Sequence, residues 1–359
     1  MKNVLVVSQF MAPNAGNYIA TMLDLKDYMA KRQIRCFFAF PNEAENCYWI
    51  KNFNSEDLLF LPLPKLGKFK SNPKVLELIE AFAILKQIDI IHSNFDGYDL
   101  ACGKITRKLK IPFIISFHNP IVKQKNLLKN IYQNIMLQYH YRIASRNAEI
   151  LFVSEEISEF RKRFGIKKYG VLNNGISLRR FSPKNPQRSL NTHLLMLAGV
   201  RFQVKGADRL LKFMQENDDP NVTVDVVSEG VTTERIEALG DSRIRAITGS
   251  TNMDSLFDNY DGFISLARYE TFSYAIAEAM YKGLPIIKSD CHGTNWANGN
   301  PSVFVVKNSD EFWSAVQKVR TVENDTLRVS SEFIRENYGN DVWCEKLYRI
   351  YLNNLKQQG

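Results

Sequence analysis

Short apolar runs alternate with longer amphipathic segments along most of the chain. The runs are rich in Val, Ile, Leu and Phe, as at 4–7 and 113–117. Runs of this kind predict strands buried in a parallel sheet, and the segments between them predict covering helices. The predicted strands are 4–7, 35–40, 88–93, 113–117, 149–154 and 169–176, then 193–199, 222–227, 244–248, 263–266 and a strand that begins at 286. The alternation predicts an α/β protein that begins with a Rossmann-type unit.

This alternation is interrupted near the middle of the chain. Pro183, Asn185 and Pro186 break regular structure there, so we place a linker at 182–190. A chain of 359 residues can bury two cores, in two domains of about 180 residues. An amphipathic helix is predicted near the C-terminus. The predicted divisions are a first domain at 1–185, a second at 186–335 and a C-terminal helix at 336–359.

Composition narrows the class of protein. Hydrophobic residues make up 45% of the chain and charged residues 24%, as in ordinary soluble proteins. No apolar run approaches the ~20 residues needed to span a bilayer, and the N-terminus resembles a first strand more than a signal peptide. Five widely spaced cysteines without a CxxC pair favour a reducing compartment and argue against a structural metal. We therefore expect a cytoplasmic protein without a bound metal.

Positive charge is concentrated in the first half of the chain. Residues 1–185 carry 28 Lys and Arg against 15 Asp and Glu, a balance of +13, so the total of +9 leaves −4 for the remainder. A predicted amphipathic helix at 123–147 adds Lys123, Lys125 and Lys129 to this basic surface. The other lysines and arginines are at positions 65, 68, 70, 74, 104, 107, 108 and 110. Such a basic surface either binds an anionic membrane leaflet or is simply solvated. No nucleic-acid-binding motif accompanies it.

The stretch from Leu266 to Asp290 has the strongest chemical signal. Its pattern predicts a strand, a loop with Glu270, a helix that begins near Thr271–Ser273, and a stop at Gly283. Free N–H groups of Thr271, Phe272 and Ser273 at a helix N-terminus can bind an anion such as a diphosphate. Glu278, eight residues after Glu270, can face the same side and accept hydrogen bonds from hydroxyl groups. An acidic helix start with one solvated Glu explains the spacing equally well.

Two other groups of polar residues follow predicted strands. His92 and His118 lie at the carboxyl ends of their strands, where ligands bind in open α/β sheets. A histidine at such a place often has only a structural role. Arg201 and Lys205 follow the strand at 193–199 and, taken alone, are ordinary surface cations.

Together these residues resemble a known family. Glu270 and Glu278, Ala279-Met280, Gly283-Leu284-Pro285 and two β-branched residues resemble the donor-site signature of retaining GT-B glycosyltransferases, the GT4-like group. The phrase VLNNGI…RRFSP is similar to the family's domain junction. The resemblance implies two Rossmann-like domains that face a cleft, with the C-terminal helix crossing back to the first domain. It also implies transfer of a hexose-type sugar from a nucleotide-diphosphate donor, favouring a UDP-sugar, with retention and without a metal.

The resemblance also implies a role for each site residue. Glu278 would hold the ribose, and Glu270 the hydroxyls of the transferred sugar. Arg201, Lys205 and the amides of Thr271, Phe272 and Ser273 would hold the diphosphate. His118 would contact the sugar from the first domain, and the base would lie near Gly249 and Ser250. The first loop retains only Gly16 of the family's usual Gly pair, so its part in donor or acceptor binding is unassigned, as is the loop 291–301.

The acceptor is expected to be a saccharide or a lipid-linked saccharide in envelope polysaccharide or glycoconjugate synthesis, at the inner face of the cell membrane. Two alternatives share the fold. A non-catalytic partner of another glycosyltransferase would be expected to lose Arg201, Lys205 or one of the Glu pair, all of which are present. A sugar-nucleotide epimerase or hydrolase would consume donor without acceptor, and only an assay separates it.

Overall fold

The structure is a computed structural model of the 359-residue chain. It describes residues 1–64, 71–118, 146–159, 165–182, 191–249 and 252–356, with positions 127, 128, 131, 132, 135, 138, 139, 142 and 162. The chain divides into two compact units: Met1–Gly175 with Asn340–Gly359, and Ile176–Gly339.

The first unit is built on a seven-stranded parallel sheet of order β3-β2-β1-β4-β5-β6-β7. Its strands are β1 Lys2–Ser8, β2 Ile34–Pro41, β3 Leu58–Leu61, β4 Ile90–Asn94, β5 Phe113–Phe117, β6 Ala148–Phe152 and β7 Tyr169–Val171. Its helices are α1 Gly16–Ala30, α2 Pro73–Leu85, α3 Asp99–Leu109, α4 Glu155–Ser158 and the C-terminal helix Asn340–Lys356, with 3-10 turns at Asn42–Asn46, Tyr48–Asn52 and Ser55–Asp57. The order reverses between β1 and β4, which creates a crevice at their carboxyl ends.

Both faces of this sheet are buried. Successive residues of β1 point to opposite faces, so Leu5 and Val7 enter one core while Val4 and Val6 enter the other. The C-terminal helix packs on the second of these cores through a stripe of apolar side chains, which are Trp343, Cys344, Leu347 and Tyr351. Continuous apolar strands are thus explained by helices on both sides of the sheet.

The second unit repeats the plan with a six-stranded sheet of order β10-β9-β8-β11-β12-β13. The strands are β8 Thr192–Gly199, β9 Val222–Ser228, β10 Ile244–Ile247, β11 Gly262–Ser265, β12 Ile286–Ser289 and β13 Val303–Val306, all parallel. The helices are α5 Phe202–Lys205, α6 Ala207–Gln215, α7 Val231–Leu239, α8 Met253–Phe257, α9 Tyr274–Lys282, α10 Ser309–Thr321 and α11 Asn324–Tyr338, with 3-10 turns at Leu178–Arg180 and Asn295–Ala297. The reversal of strand order lies between β8 and β11.

The units divide at Gly175/Ile176 and Gly339/Asn340, whereas the sequence pattern places the divisions at 185/186 and 335/336. The difference has a physical basis in the packing of Ile176. Its side chain is fully buried in a core of the second unit, and its N–H donates to the Tyr338 carbonyl oxygen at 2.8 Å. Residues 176–182 therefore belong structurally to the second unit. The predicted linker continues to 190, and 183–190 lie outside the described residues.

The central strands of both sheets lie within a few residues of the positions that the apolar runs predict. The edge strands β3 and β13 were not predicted, although their sequences, LLFL and VFVV, are apolar throughout. The predicted helix at 123–147 falls largely outside the described residues. Its described positions between 127 and 142 are helical.

Within the described part of the chain, no helix combines the length and apolar character that a bilayer span requires. All five cysteines are free thiols.

Candidate functional site

Several residues predicted as site residues in the second half of the chain lie at the crevice between β8 and β11. Arg201 follows β8, Lys205 is the last residue of the short helix α5 in the same connection, and the loop after β11 carries Glu270. Because β8 and β11 are adjacent and parallel, both loops leave the sheet at the same edge. Open α/β sheets bind ligands at such a reversal of strand order.

Lys205 and Glu270 form an ion pair at this edge. Nζ of Lys205 donates to Oε1 of Glu270 at 2.5 Å, and the two side chains are 33% and 14% exposed. A partly buried pair is screened less than one on the open surface. The pair joins the two loops across 65 residues of sequence and leaves a fixed cation and a fixed carboxylate within reach of a ligand.

Two backbone features bring these loops close enough to pair. Gly206 has a φ of +80°, and a Cβ there would lie 1.9 Å from the Leu266 carbonyl oxygen, so only glycine permits this approach. The N–H of Arg268 donates to the carbonyl oxygen of Val204 at 2.9 Å. The guanidinium of Arg268 also binds both carboxylate oxygens of Asp208 at 2.7 Å each. Lys205 is thus fixed by its neighbours on both loops.

Helix α9 begins beside this pair. Its first residue is Tyr274, and Ser273 is the N-cap with a left-handed φ of +66° and no side-chain capping bond. The helix therefore begins one to three residues later than the predicted start near Thr271–Ser273, and Thr271 and Phe272 belong to the preceding loop. A left-handed serine is strained, and the orphan N–H groups of the first turn can bind an anion. Phe272 can take part only through its backbone, because its side chain is buried.

Glu278 has a different environment from Glu270. Its side chain is 8% exposed and accepts a hydrogen bond from Nη1 of Arg180 at 2.9 Å. Burial raises the pKa of Glu278 to about 7, although Arg180 acts in the opposite direction. The two glutamates therefore differ in partner and in depth, and Arg180 was not predicted as part of the site.

The loop 291–297, unassigned from sequence, supports the loop that carries Glu270. Nε1 of Trp296 donates to the Phe272 carbonyl oxygen at 2.7 Å, and the two rings stack at 5.0 Å. A Cβ at Gly293, where φ is +82°, would lie 2.2 Å from the Glu270 carbonyl oxygen. Burial, followed by the charge of Glu270, raises the pKa of the Cys291 thiol to about 11. The loop packs against the backbone of residues 270–272 and fixes its path.

Three further residues of this unit, Arg201, Gly249 and Ser250, were predicted as part of the site. Arg201 is exposed and immediately precedes α5. Gly249 follows β10 and is exposed. Ser250 lies outside the described residues.

His118 and Gly16 belong to the first unit, near the carboxyl edge of its own sheet. Nε2 of His118 pairs with Oδ1 of Asn94 at 3.1 Å, and its ring stacks on Phe95 at 4.6 Å. Burial lowers the pKa of His118 to about 4, so the imidazole is neutral at pH 7. A neutral ring that donates through Nε2 retains Nδ1 as an acceptor. Gly16, with φ +55°, is the first residue of α1, and a side chain there would meet open space.

His92, by contrast, is a structural residue. Its ring nitrogens bond to the Tyr351 hydroxyl at 2.7 Å and the Ser116 hydroxyl at 2.8 Å. Tyr351 lies on the C-terminal helix, so His92 ties that helix to the sheet. Burial lowers the pKa of His92 to about 3, which keeps it neutral.

Asn94 and Phe95 complete the surroundings of His118. Phe95 has a left-handed φ of +63°. Nδ2 of Asn94 is buried and has no hydrogen-bond partner among the described residues. In the part of the chain that the structure describes, no group of three or more His, Cys, Asp or Glu side chains could hold a metal ion.

The support that the 291–297 loop gives to Glu270 can be tested with a matched pair of glycine variants. Gly293→Ala and Gly299→Ala both place alanine at a φ near +80°, but a Cβ at Gly299 meets nothing within 4 Å. Backbone strain of ~1–2 kcal/mol is common to both, and the clash with Glu270 adds ~1–3 kcal/mol for Gly293→Ala alone. We expect a clearly lower Tm for Gly293→Ala in thermal unfolding. Equal Tm values for the two variants would contradict the support role.

Two family models match successive parts of the chain. Residues 20–180 match the family model described as Glycosyltransferase Family 4, and residues 191–321 match the model described as Glycosyl transferases group 1. The two matches together span most of the chain. No curated protein matches the chain by sequence.

Several solved structures are similar over nearly the whole chain. A glycosyltransferase from Rickettsia africae is 17% identical with a TM-score of 0.77, covering 99% of each chain. HepE from Anabaena in complex with UDP is 14% identical with a TM-score of 0.79, covering 98% of this chain and 100% of its own. Sucrose-phosphate synthase from Thermosynechococcus elongatus is 14% identical with a TM-score of 0.75, covering 98% and 99%. At such identities these structures establish the fold, which is GT-B. The two family matches and this fold together identify the chain as a GT4-like glycosyltransferase.

Proposed function

We propose that the protein transfers a hexose-type sugar from a nucleoside-diphosphate donor to a saccharide or lipid-linked saccharide acceptor, with retention and without a metal. The observation that carries the proposal is the Lys205–Glu270 ion pair, placed where the strand order of the second sheet reverses. A cation and a carboxylate held side by side match the two parts of a nucleotide sugar, a diphosphate and a hydroxyl-rich ring.

In this proposal, the diphosphate binds between Lys205 and the N-terminus of α9. The leaving nucleoside diphosphate gains negative charge as the bond to the anomeric carbon breaks. Fixed cations and backbone N–H groups stabilise that charge without having to reorganise. Arg201, which precedes α5, is exposed and can approach the same phosphates, while Thr271 and Ser273 offer backbone and hydroxyl donors.

Glu270 holds the hydroxyls of the transferred sugar. Its carboxylate is fixed by Lys205 at one oxygen, Oε1, and the other oxygen can accept from a sugar hydroxyl. The role of His118 as a sugar contact stays a prediction of the family resemblance. Glu278 holds the ribose hydroxyls, and the exposed Gly249 leaves room for the base.

No separate nucleophile is required in the reaction we propose. The acceptor oxygen attacks the anomeric carbon on the face that the diphosphate leaves, and the departing phosphate oxygen takes the acceptor proton. The configuration is therefore retained, and the products are a glycosylated acceptor and a protonated nucleoside diphosphate. The protein's part is to position the donor and to stabilise charge on the leaving group.

Similar structures support the class of donor. Structures of HepE contain UDP, UDP-glucose, or UDP and glucose. We therefore favour a UDP-sugar for this chain. The proposed setting is the cytoplasm, with peripheral binding to the inner face of the cell membrane during envelope polysaccharide or glycoconjugate synthesis.

Exposed apolar and basic groups of the first unit support membrane binding. Leu127, Ile131 and Ile135 are 72%, 47% and 56% exposed and lie four residues apart on helical positions. Lys104 and Lys108 are exposed on α3 of the same unit. Exposed apolar side chains and exposed basic ones each favour binding to an anionic leaflet, where each basic group contributes ~1 kcal/mol.

The donor class can be tested by thermal shift. Purified protein is heated with UDP, GDP, ADP, dTDP or CMP, each with and without magnesium. A ligand at 100 times its Kd stabilises the folded state by ~2.7 kcal/mol, which is enough to raise Tm by several degrees. We expect a selective shift with UDP that does not need magnesium. The absence of a shift with every nucleotide would contradict the donor assignment and favour a non-catalytic partner.

Lys205 is tested by substitution. We expect Lys205→Ala to lower turnover of the donor by about 10²–10³, because one charge that stabilises the leaving group is lost. Lys212→Ala is the matched control, since Lys212 is 72% exposed and pairs only loosely with Glu216 at 3.6 Å. Release of nucleoside diphosphate is measured with and without acceptor, which also separates transfer from hydrolysis. Near-normal turnover by Lys205→Ala would exclude the assigned role.

Membrane binding is tested with vesicles of phosphatidylglycerol or of phosphatidylcholine. We expect cosedimentation with the anionic vesicles at about 0.01 M salt and release at about 1 M, where the screening length falls from ~30 Å to ~3 Å. The double variant Leu127→Ser/Ile131→Ser should bind less at low salt, while Val329→Ser, at an exposed position of the second unit, should not. Failure of the wild type to bind at low salt would remove this part of the proposal.

A further inference from the structure

Arg180 lies 98 residues before Glu278 and is the partner of that buried carboxylate. Its Nη1 donates to Oε1 of Glu278 at 2.9 Å, and its own side chain is 22% exposed. We propose that Arg180 is a positioning residue of the donor site, which holds Glu278 as an ionised and oriented acceptor for the ribose hydroxyls of the nucleotide. This inference rests on the proposed function.

The segment that carries Arg180 is anchored on both sides. Before it, Ile176 is fully buried and its N–H donates to the Tyr338 carbonyl oxygen at 2.8 Å. After it, Phe181 is buried, and the N–H and hydroxyl of Ser182 donate to the Asp254 carboxylate at 3.0 and 2.9 Å. The 3-10 turn Leu178–Arg180 thus has little freedom, and the guanidinium reaches Glu278 from a fixed backbone.

The same anchor includes the helix that carries Glu278. Lys282, one turn further along α9, is completely buried and pairs with Asp254 and with Asp258, the latter at 3.0 Å. Its Nζ also donates to the Ser182 hydroxyl at 3.3 Å. Asp254 therefore ties the segment of Arg180 to the helix of Glu278, which fixes the distance between the two groups. A site residue is held best when its support is itself fixed.

Arg180 also affects the charge state of Glu278. A carboxyl in a buried position favours its neutral form, and burial raises the pKa of Glu278 to about 7 even with Arg180 present. Without Arg180, the pKa would lie higher still, and at neutral pH the group would be mostly a carboxylic acid. A carboxylic acid has fewer acceptor sites for two ribose hydroxyls than a carboxylate. Arg180 is therefore needed for the charge state as well as for the orientation.

Other charged groups near α9 are engaged elsewhere. Lys282 is held by the two aspartates described above. Lys288 on the adjacent β12 donates to Oδ1 of Asn298 at 2.9 Å. Arg335 on α11 lies over the Tyr281 ring at 6.0 Å. Among the residues that the structure describes, Arg180 is the one that both bonds to Glu278 and lowers its pKa by its charge. A pH-dependent effect of removing Arg180 can therefore be assigned to this pair.

The experiment measures donor affinity by isothermal titration at about pH 6 and about pH 8.5, on either side of the Glu278 pKa. The ligands are UDP-glucose, GDP-glucose and ADP-glucose, because their phosphates carry the same charge at both values. The proteins are wild type, Arg180→Gln, Arg180→Lys and Glu278→Gln. Arg179→Gln is the matched control, since this neighbour is exposed and the same charge is removed.

We expect wild type to bind one donor and to lose affinity as pH falls, because Glu278 takes up a proton. Arg180→Gln should weaken binding about tenfold or more at pH 8.5, the scale of a hydrogen bond to a charged group, and by much less at pH 6. Arg180→Lys should recover part of the loss. Arg179→Gln should match wild type, and Glu278→Gln should lose this pH dependence.

A readout without ligand accompanies the titration. Only ionised Glu278 is stabilised by Arg180, so the Tm difference between wild type and Arg180→Gln should widen as pH rises through about 7. This comparison also shows that the variant folds.

The outcomes distinguish failure of the positioning role from failure of the proposed function. If wild type binds a donor but Arg180→Gln loses equal affinity at both pH values, or loses none, the positioning role is overturned and the proposed function stands. If no donor binds wild type at either pH, the proposed function fails and the inference fails with it.

Discussion

The ion pair between Lys205 and Glu270 is the contact on which the candidate donor site depends. It exists because two adjacent parallel strands deliver their loops to one edge, and because Gly206 permits the first loop to approach Leu266. Each charged group also limits the other's freedom. Neither side chain then has to be ordered when a ligand arrives, which lowers the entropy lost on binding. The backbone of residues 270–272 is also in close contact with Gly293 and Trp296.

The two glutamates of the signature show how environment separates chemically identical groups. Glu270 has a lysine partner and sits at the edge of the sheet, while Glu278 is buried in α9 with an arginine partner. Two carboxylates in different environments can take different roles within one site. The same reasoning applies to His92 and His118, which follow the same kind of strand. His92 has both ring nitrogens bonded within the protein, whereas the described residues provide a hydrogen-bond partner for one ring nitrogen of His118, Nε2.

Much of the fold could be predicted from sequence, because buried parallel strands have a strong local signal of consecutive apolar residues. The central strands follow this signal. The edge strands β3 (LLFL) and β13 (VFVV) carry it too, but as runs of four residues, which periodicity alone does not assign to a strand. The proximity of Lys205 and Glu270 could be predicted from sequence, since both residues follow predicted strands and match a family signature. The roles of Arg180 and Trp296 could not be predicted, because they come from contacts across 98 and 24 residues that leave no periodic pattern. The role of Gly293 could not be predicted for the same reason, because its close approach to the Glu270 backbone is seen only in the three-dimensional structure.

The most direct test of the account is a crystal structure of the protein with bound UDP or UDP-glucose. The account predicts phosphate oxygens within hydrogen-bond distance of Lys205 Nζ and of the N–H groups at the start of α9, with the ribose at Glu278. Glu270 would then turn its free oxygen to the sugar. A nucleotide bound elsewhere, with no phosphate in contact with Lys205 or α9, would contradict the account.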